Sequence, residues 1–176
     1  MKRIMTKLKS LAVALSLALS ATACSANGET QNIEQPLSPR DSIVQKALGD
    51  SIFNIIANAK TITAEIIGYT DSTKAKTPEV KLSAEDLKIM KFLLRNPQNV
   101  SSNDTVYGRV LPNICFKFQY KKQMCQLFFD FGLRKWQVRD KDDHVLKTFD
   151  IKSSEFVHLA SQLFPSDEYL NELLKQ

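Results

Sequence analysis

Residues 113–131, NICFKFQYKKQMCQLFFDF, carry the strongest strand pattern in the chain. In the first half, large apolar side chains occupy every second position, namely Ile114, Phe116, Phe118 and Tyr120. In the second half, the more apolar alternate positions are Cys125, Leu127, Phe129 and Phe131. Alternation of this kind is typical of strands that bury one face. The stretch therefore predicts a β-hairpin that turns across residues 121–124.

Further strand patterns lie on both sides of this hairpin. Residues 60–69 place Ile62, Ala64 and Ile66 on one face, and residues 105–110 are a candidate short strand. Residues 134–139, around Trp136, and residues 145–151 follow the hairpin. Short connections favour antiparallel neighbours. We expect an antiparallel β-meander of about four to five strands, with one face packed and the other in water.

Helical patterns occur before, between and after the strands. Apolar residues in residues 41–58 recur at helical spacing and predict one continuous helix. Ser83 and Asp86 resemble a capping box, and the apolar residues after them predict a largely buried helix that ends before Pro97. Ser153 is a candidate cap for a helix that Pro165 ends, and residues 167–174 add a short amphipathic segment. The chain thus predicts a single α+β domain, residues 41–176, with N-terminal, middle and C-terminal helices packed against the sheet.

The N-terminus has the pattern of a secretory signal. Lys2, Arg3, Lys7 and Lys9 precede an apolar run at residues 11–23, LAVALSLALSATA. A helix needs about 20 apolar residues to cross a bilayer, so this run is too short for a permanent span. Residues 1–23 are therefore interpreted as a cleaved signal peptide.

The residues at the end of this run, Ala21-Thr22-Ala23-Cys24, resemble the lipobox of a bacterial lipoprotein precursor, although Ala21 stands where leucine is usual. The resemblance covers residues 1–24. It implies that Cys24 becomes the mature N-terminus, with a diacylglyceryl thioether and an acylated amine, for example by palmitate. Several acyl chains give stable membrane anchoring. Cleavage after Ala23 by ordinary signal peptidase, giving a soluble periplasmic or secreted protein, is the alternative.

The segment that follows Cys24 is polar and contains Pro36 and Pro39. It predicts a lipidated tether over residues 24–40. The resemblance implies localisation in the cell envelope, at the outer membrane. The mature domain is also similar in style to small uncharacterised lipoproteins that gut-dwelling Gram-negative bacteria export, a similarity that implies no activity.

The charge of the mature chain argues against nucleic acid as a partner. The whole chain has a formal net charge of +5, with 24 Lys and Arg against 19 Asp and Glu. The signal peptide contains four of these cations and no acidic residue, so the mature chain is almost neutral. Binding to nucleic acid needs a clustered basic surplus, which this composition does not supply.

Cys115 and Cys125 are candidates for a disulfide, because exported proteins meet oxidising conditions. In an antiparallel hairpin, however, the residue numbers of every facing pair add up to the same value. Matching the two aromatic faces requires this value to be odd, as for Phe118 with Leu127. The sum for the two cysteines is even. The pattern therefore places the thiols on opposite faces and disfavours a bridge, with Cys125 as a small core residue.

The remaining polar clusters match no catalytic or metal motif. Asp140, Asp142 and Asp143 lie beside His144, but the glycine and the glutamate of a calcium loop are missing, so a hairpin turn is the favoured interpretation. His158 is expected on a helix surface. We therefore predict no metal and no cofactor.

Two weaker patterns concern partners and modification. Basic residues on and between the meander strands could form a patch for anionic lipid, glycan or protein, or simply solvate the sheet; they are Lys117, Lys121, Lys122, Arg134, Lys135, Arg139 and Lys141. The triplets around Ser72 and Thr105 resemble the O-glycosylation motif of exported proteins in some gut bacteria.

Two hypotheses for function follow. The first is a non-enzymatic binding or interaction module of the cell envelope, held at the membrane through Cys24, with a protein or glycan partner. The alternative is a small hydrolase-like envelope enzyme with a site near His144. An enzyme needs a concave pocket with convergent polar groups, whereas a flat interaction sheet does not.

Overall fold

A computed structural model describes residues 37–67, 78–101 and 109–175. The signal peptide, Cys24, residues 25–36 of the tether, Ser72 and Thr105 lie outside these ranges, as does most of the candidate strand at residues 105–110. Among the described helices, none combines the length and the hydrophobicity that crossing a bilayer requires.

The described part of the chain is an α+β domain built on a six-stranded antiparallel sheet. The strands are β1 (Thr61–Ile66), β2 (Val80–Lys81), β3 (Ile114–Tyr120), β4 (Gln123–Asp130), β5 (Lys135–Arg139) and β6 (Val145–Asp150). Their order across the sheet is β2-β1-β3-β4-β5-β6. Strands β3 to β6 form the expected meander, which confirms the predicted fold class. The short edge strand β2 falls in a stretch whose polar sequence indicates a loop.

The β3–β4 hairpin has a tighter turn than the sequence suggests. Phe118 pairs with Cys125, and Phe116 pairs with Leu127. The odd index sum is confirmed, but the pairing of Phe118 with Leu127 is wrong by two residues. The reason is a two-residue turn at Lys121 and Lys122, in which Lys121 adopts a left-handed φ of 53°. Two-residue turns with positive φ match the twist of the flanking strands.

Five described helices and one 3-10 turn accompany the sheet. They are α1 (Pro39–Leu48), α2 (Asp50–Asn58), α3 (Ala84–Leu94), the 3-10 turn Pro97–Val100, α4 (Glu155–Leu163) and α5 (Glu168–Leu173). The predicted continuous helix over residues 41–58 is wrong, because Gly49 separates α1 from α2 with φ 86° and ψ 154°. The first helix also begins earlier than expected, at Pro39, with Ser38 as its cap. The cap position of α4 is Ser154, whose side chain makes no capping hydrogen bond. Ser153, the predicted cap, lies one residue earlier, and its hydroxyl accepts a hydrogen bond from Glu155 N–H at 3.4 Å.

Helix α3 has the predicted start but not the predicted burial. Ser83 and Asp86 form the capping box reciprocally, which confirms that prediction. The expectation of a largely buried helix is wrong, because Ile89 is 38% exposed and Phe92 is 62% exposed. Helix α3 packs on one side only, through Met90, Leu93 and Leu94, and its other side remains open.

The helices cover one face of the sheet and enclose an aromatic core. Phe129 lies at its centre, edge-on to Phe116 at 5.4 Å and stacked on Trp136 at 5.8 Å between ring centroids. Phe156 of α4 approaches Phe129 to 5.1 Å. The indole Nε1–H of Trp136 donates to Asn99 O at 2.8 Å, which ties the 3-10 turn to β5. The contact between Phe129 and Phe156 joins the sheet to α4, so the aromatic core fixes the sheet against this helix.

Candidate functional site

A cavity of about 640 Å³ opens at the end of the sheet where β1 and β4 finish and β3 begins. Four segments form its walls: residues 66–67, 109–113, 130–133 and the first turn of α5. The volume falls within the range of small-molecule sites in proteins. This end of the sheet is therefore the candidate site.

Most of the cavity surface is apolar. Its apolar side chains are Ile66, Ile67, Leu111, Leu133 and Leu170. Leu111 is 45% exposed and Leu133 is 42% exposed, so part of each side chain remains accessible to a ligand. Removing such surface from water stabilises a bound apolar group by about 25 cal/mol per Å².

A buried carboxylate holds two of the walls in place. Asp130, at the end of β4, is 4% exposed. Its Oδ1 accepts from Leu133 N–H at 2.9 Å, and its Oδ2 accepts from Leu111 N–H at 2.7 Å. Both oxygens thus satisfy backbone amides that flank the cavity, which gives Asp130 a positioning role.

Two further polar groups reach the cavity with donors. Asn113 Oδ1 accepts from Phe131 N–H at 3.0 Å, and no described residue accepts a hydrogen bond from its Nδ2. Burial and the nearby carboxylate of Asp130 raise the pKa of Tyr169, so its hydroxyl stays protonated at neutral pH. A Cβ on Gly132 would lie 3.2 Å from Tyr169 Oη, so the missing side chain permits this close approach.

Charged groups frame the opening. The exposed Arg109 belongs to the lining, and the Asp167 carboxylate accepts from Leu170 N–H at 2.9 Å and so caps α5. The arrangement combines an apolar wall with donors on Asn113, Tyr169 and Arg109. It can bind a molecule that has an apolar body and a hydrogen-bond acceptor.

The two cysteines of the hairpin lie elsewhere. Cys125 faces the helices opposite Phe118, whereas Cys115 lies opposite Phe128 on the other face. Both are buried, and no disulfide joins them. Burial, with a smaller contribution from Cys115, raises the pKa of Cys125 to about 12, so its thiol is protonated and unreactive at neutral pH.

The cluster around His144 has the geometry of a turn. Asp140 Oδ1 accepts from Asp142 N–H at 2.8 Å and from His144 N–H at 2.9 Å. These hydrogen bonds lower the pKa of Asp140, and the bond from His144 N–H contributes most. Ligand atoms of Asp140, Asp142 and His144 lie within 4.8 Å of one another, but the carboxylate already serves the β5–β6 turn. The side chain of His144 is 76% exposed and does not line the cavity, and His158 is exposed on α4.

Three of the seven cations predicted as a possible basic patch are paired with acids on the outer face of the sheet. Lys117 contacts Glu65 at 3.2 Å and also Glu79. Lys135 pairs with Asp150. Arg139 pairs with Asp143 at 3.0 Å and lies over Phe128. These pairs favour the solvating-face interpretation over a basic patch.

Sequence reasoning misses the cavity, because its walls come from distant segments. One signal points to it in hindsight: Asp130 interrupts the apolar run LFFDF at residues 127–131. A charged residue at a buried strand end needs hydrogen-bond partners, and here the partners are the backbone N–H groups of Leu111 and Leu133 in the two loops beside the cavity. Comparisons of the chain with protein-family models, curated proteins and solved structures found no match.

Proposed function

We propose that the protein is a cell-envelope lipoprotein, anchored through Cys24, whose domain is a non-enzymatic binding module for a small amphipathic molecule. The cavity at the end of the sheet carries the binding part of this proposal. The lipobox-like sequence at residues 21–24 supports the anchor. Localisation at the outer membrane is part of the same proposal.

The lining defines the chemistry of the ligand. Leu111, Leu133 and Leu170 offer contact to an apolar body. The Tyr169 hydroxyl and Asn113 Nδ2 are donors, so the polar end of the ligand is an acceptor such as a carboxylate, sulfonate or carbonyl. Arg109 is the lining group that can pair with an anionic acceptor, while the carboxylates of Asp130 and Asp167 near Tyr169 oppose an anion.

Binding without catalysis is the activity that these groups support best. The described residues that line the cavity include no serine, cysteine or histidine side chain. Asp130 uses both oxygens on backbone amides, and the raised pKa of Tyr169 makes it a poor base at neutral pH. These properties favour a site that orients a ligand over one that transfers a proton.

Titration with 1-anilinonaphthalene-8-sulfonate tests the binding site, because this probe combines apolar rings with an anionic acceptor. We expect saturable fluorescence enhancement and about tenfold weaker binding in Leu133→Gln, from the loss of roughly 1.5 kcal/mol of apolar contact. Leu146→Gln is the matched control, since Leu146 is 53% exposed on β6 and does not line the cavity. Equal weakening in both variants, or no saturable binding by the wild type, would reject the cavity as the site.

Metabolic labelling with palmitate and membrane fractionation test the anchor. Cys24→Ala should abolish labelling and, once a high-salt wash has removed charge-based binding, leave the protein in the soluble fraction, because no other cysteine follows the apolar run directly. Cys115→Ala is the control and should keep both the label and the membrane association. Wild-type protein without label, or unlabelled Cys24→Ala protein that stays at the membrane after a high-salt wash, would contradict lipid anchoring.

A further inference from the structure

A second cavity, of about 430 Å³, lies between the start of α1 and the exposed side of α3. We call it the basic groove, and its charged and aromatic lining residues are Arg40, Asp41, Lys88, Lys91, Phe92 and Arg95. Four cations thus face one carboxylate. The basic groove is separate from the cavity at the end of the sheet and shares no lining residue with it.

Backbone carbonyls hold two of the cations without neutralising them. Arg40 Nε donates to Arg95 O at 2.7 Å, and Lys91 Nζ donates to Ala57 O at 3.0 Å. Lys88 is exposed and has no ion-pair or hydrogen-bond partner among the described residues. Burial and the positive charge of Arg95 lower the pKa of Lys91.

The single carboxylate of the basic groove is already engaged. Asp41 is 7% exposed and accepts two hydrogen bonds from the guanidinium of Arg95, with Nε at 2.8 Å. The hydroxyl of Ser38 also donates to it, at 2.9 Å. No other described residue of the lining offers a carboxylate to the remaining three cations, so they present positive charge in a concave surface, which attracts an anion.

Large apolar side chains lie exposed beside these cations. Phe92 is 62% exposed, and the guanidinium of Arg40 stacks on its ring at 4.8 Å from the centroid. Ile43, one turn after Arg40 on α1, is 56% exposed, and Ile89, one turn before Phe92 on α3, is 38% exposed. Cations beside exposed aromatic and aliphatic side chains are typical of surfaces that dock on a membrane interface.

The basic groove begins a short stretch of chain after the proposed anchor. Arg40 and Asp41 lie in the first turn of α1, and Leu37 is the first described residue. Thirteen residue steps separate Leu37 from Cys24, which limits their distance to about 45 Å even in a fully extended chain. An acyl chain on Cys24 therefore keeps the basic groove near the bilayer.

We propose that the basic groove binds the headgroup phosphate of an anionic glycerophospholipid in the leaflet that holds the anchor, an inference that rests on the proposed lipidation of Cys24. The exposed Phe92 and Ile89 enter the headgroup region beside the bound lipid. The domain would then lie on the membrane in a fixed orientation, instead of moving freely on its tether.

Vesicle co-sedimentation of the mature chain with Cys24→Ser tests this proposal, because the serine variant has no acyl chain and binds only through its own surface. Vesicles of phosphatidylcholine alone are compared with vesicles that also contain phosphatidylglycerol. We expect binding only to the anionic vesicles. Lys88→Glu should weaken it by about thirtyfold, because it removes one attractive charge and adds one repulsive charge at about 1 kcal/mol each.

Lys141→Glu is the matched control, since Lys141 is an exposed lysine on the β5–β6 turn and the same net charge is lost. It should bind almost as the wild type. Phe92→Gln, which keeps every charge, should weaken binding by loss of apolar insertion. Circular dichroism checks that each variant is folded.

Three results would overturn the proposal: equal binding to both kinds of vesicle, equal weakening by Lys88→Glu and Lys141→Glu, or no binding to anionic vesicles. Binding to soluble heparin that Lys88→Glu abolishes, without vesicle binding, would assign the basic groove to an anionic glycan instead. Palmitate labelling of Cys24 is scored separately in wild-type cells. Failure of the anchor is therefore distinguishable from failure of the basic groove.

Discussion

Cys115 and Cys125 lie on adjacent strands of one hairpin but on opposite faces of the sheet. Cys125 belongs to the core, and Cys115 is buried on the outer face. A disulfide needs both Cβ atoms directed toward each other, which this register does not allow.

We therefore expect both thiols to titrate with Ellman's reagent when the mature protein is denatured without reductant. In the native protein Cys125 should resist iodoacetamide, because its pKa of about 12 leaves almost no thiolate at neutral pH. Mass spectrometry after alkylation assigns each site. Two cysteines that stay unalkylated in the denatured protein, with the loss of two hydrogens that a disulfide causes, would contradict the register of β3 and β4. Fast alkylation of Cys125 in the native protein would also contradict it.

The ion pair between Asp41 and Arg95 should make stability depend on pH. The hydrogen bond from Arg95 is the largest cause that lowers the pKa of Asp41. A lowered pKa in the folded state contributes stability that is fully present above the ordinary pKa near 4 and is lost as the pH falls through the folded value. Solvent screens the pair, because the Arg95 side chain is 41% exposed, so we expect about 1 kcal/mol.

Urea unfolding of Asp41→Asn, followed by the fluorescence of the single tryptophan, measures this contribution. The variant should be less stable than the wild type at pH 7, and the difference should shrink at pH values below the folded pKa. Asp142→Asn, at an exposed turn, is the control and should change little at either pH. A difference that is constant with pH would show that the loss does not come from the charge.

Gly49 should not tolerate a side chain, although there is space for one. A Cβ at Gly49 would meet no atom within 4 Å, but the backbone has φ 86° and ψ 154°. L-residues rarely adopt this conformation, so Gly49→Ala should lower the free energy of unfolding by about 1–3 kcal/mol.

Gly132→Ala tests the effect of a crowded neighbour, whereas Gly49→Ala tests the effect of an unusual backbone conformation. Its new Cβ would lie 3.2 Å from Tyr169 Oη, and a side-chain end can move by a few tenths of an ångström. We expect a stability loss under about 1 kcal/mol, together with weaker probe binding in the cavity as Tyr169 shifts. Thermal unfolding of both variants checks the order, and a larger loss in Gly132→Ala would contradict it.

Asn99 should be a stability determinant out of proportion to its size. It is fully buried, its Nδ2 donates to Leu93 O at 3.0 Å, and its Oδ1 accepts from Lys152 N–H at 3.3 Å. Asn99→Ala leaves both backbone groups without these partners, so we expect a loss of about 1–3 kcal/mol in denaturant unfolding. Asn58→Ala, an exposed asparagine at the end of α2, should stay within about 0.5 kcal/mol of the wild type.

Local patterns predict much of the fold, because they act over a few residues. The alternation in residues 113–131 defines β3 and β4, and Ser83 with Asp86 defines the start of α3. Index parity alone places Cys115 and Cys125 on opposite faces. The same local reasoning is wrong at Gly49, where one glycine conformation divides a continuous helical pattern, and at Phe92, which the pattern assigns to the core.

The sequence by itself determined the class of the domain and the hairpin at its centre, since both depend on residues that are neighbours in the chain, whereas the lipobox-like sequence before Cys24 stays a prediction. Only the tertiary structure decided where the functional surfaces lie. Asp130 joins the loops around Leu111 and Leu133, and α1 brings Arg40 against α3, across separations of up to 55 residues. Such contacts depend on the strand register and on how each helix packs, and neither follows from local periodicity.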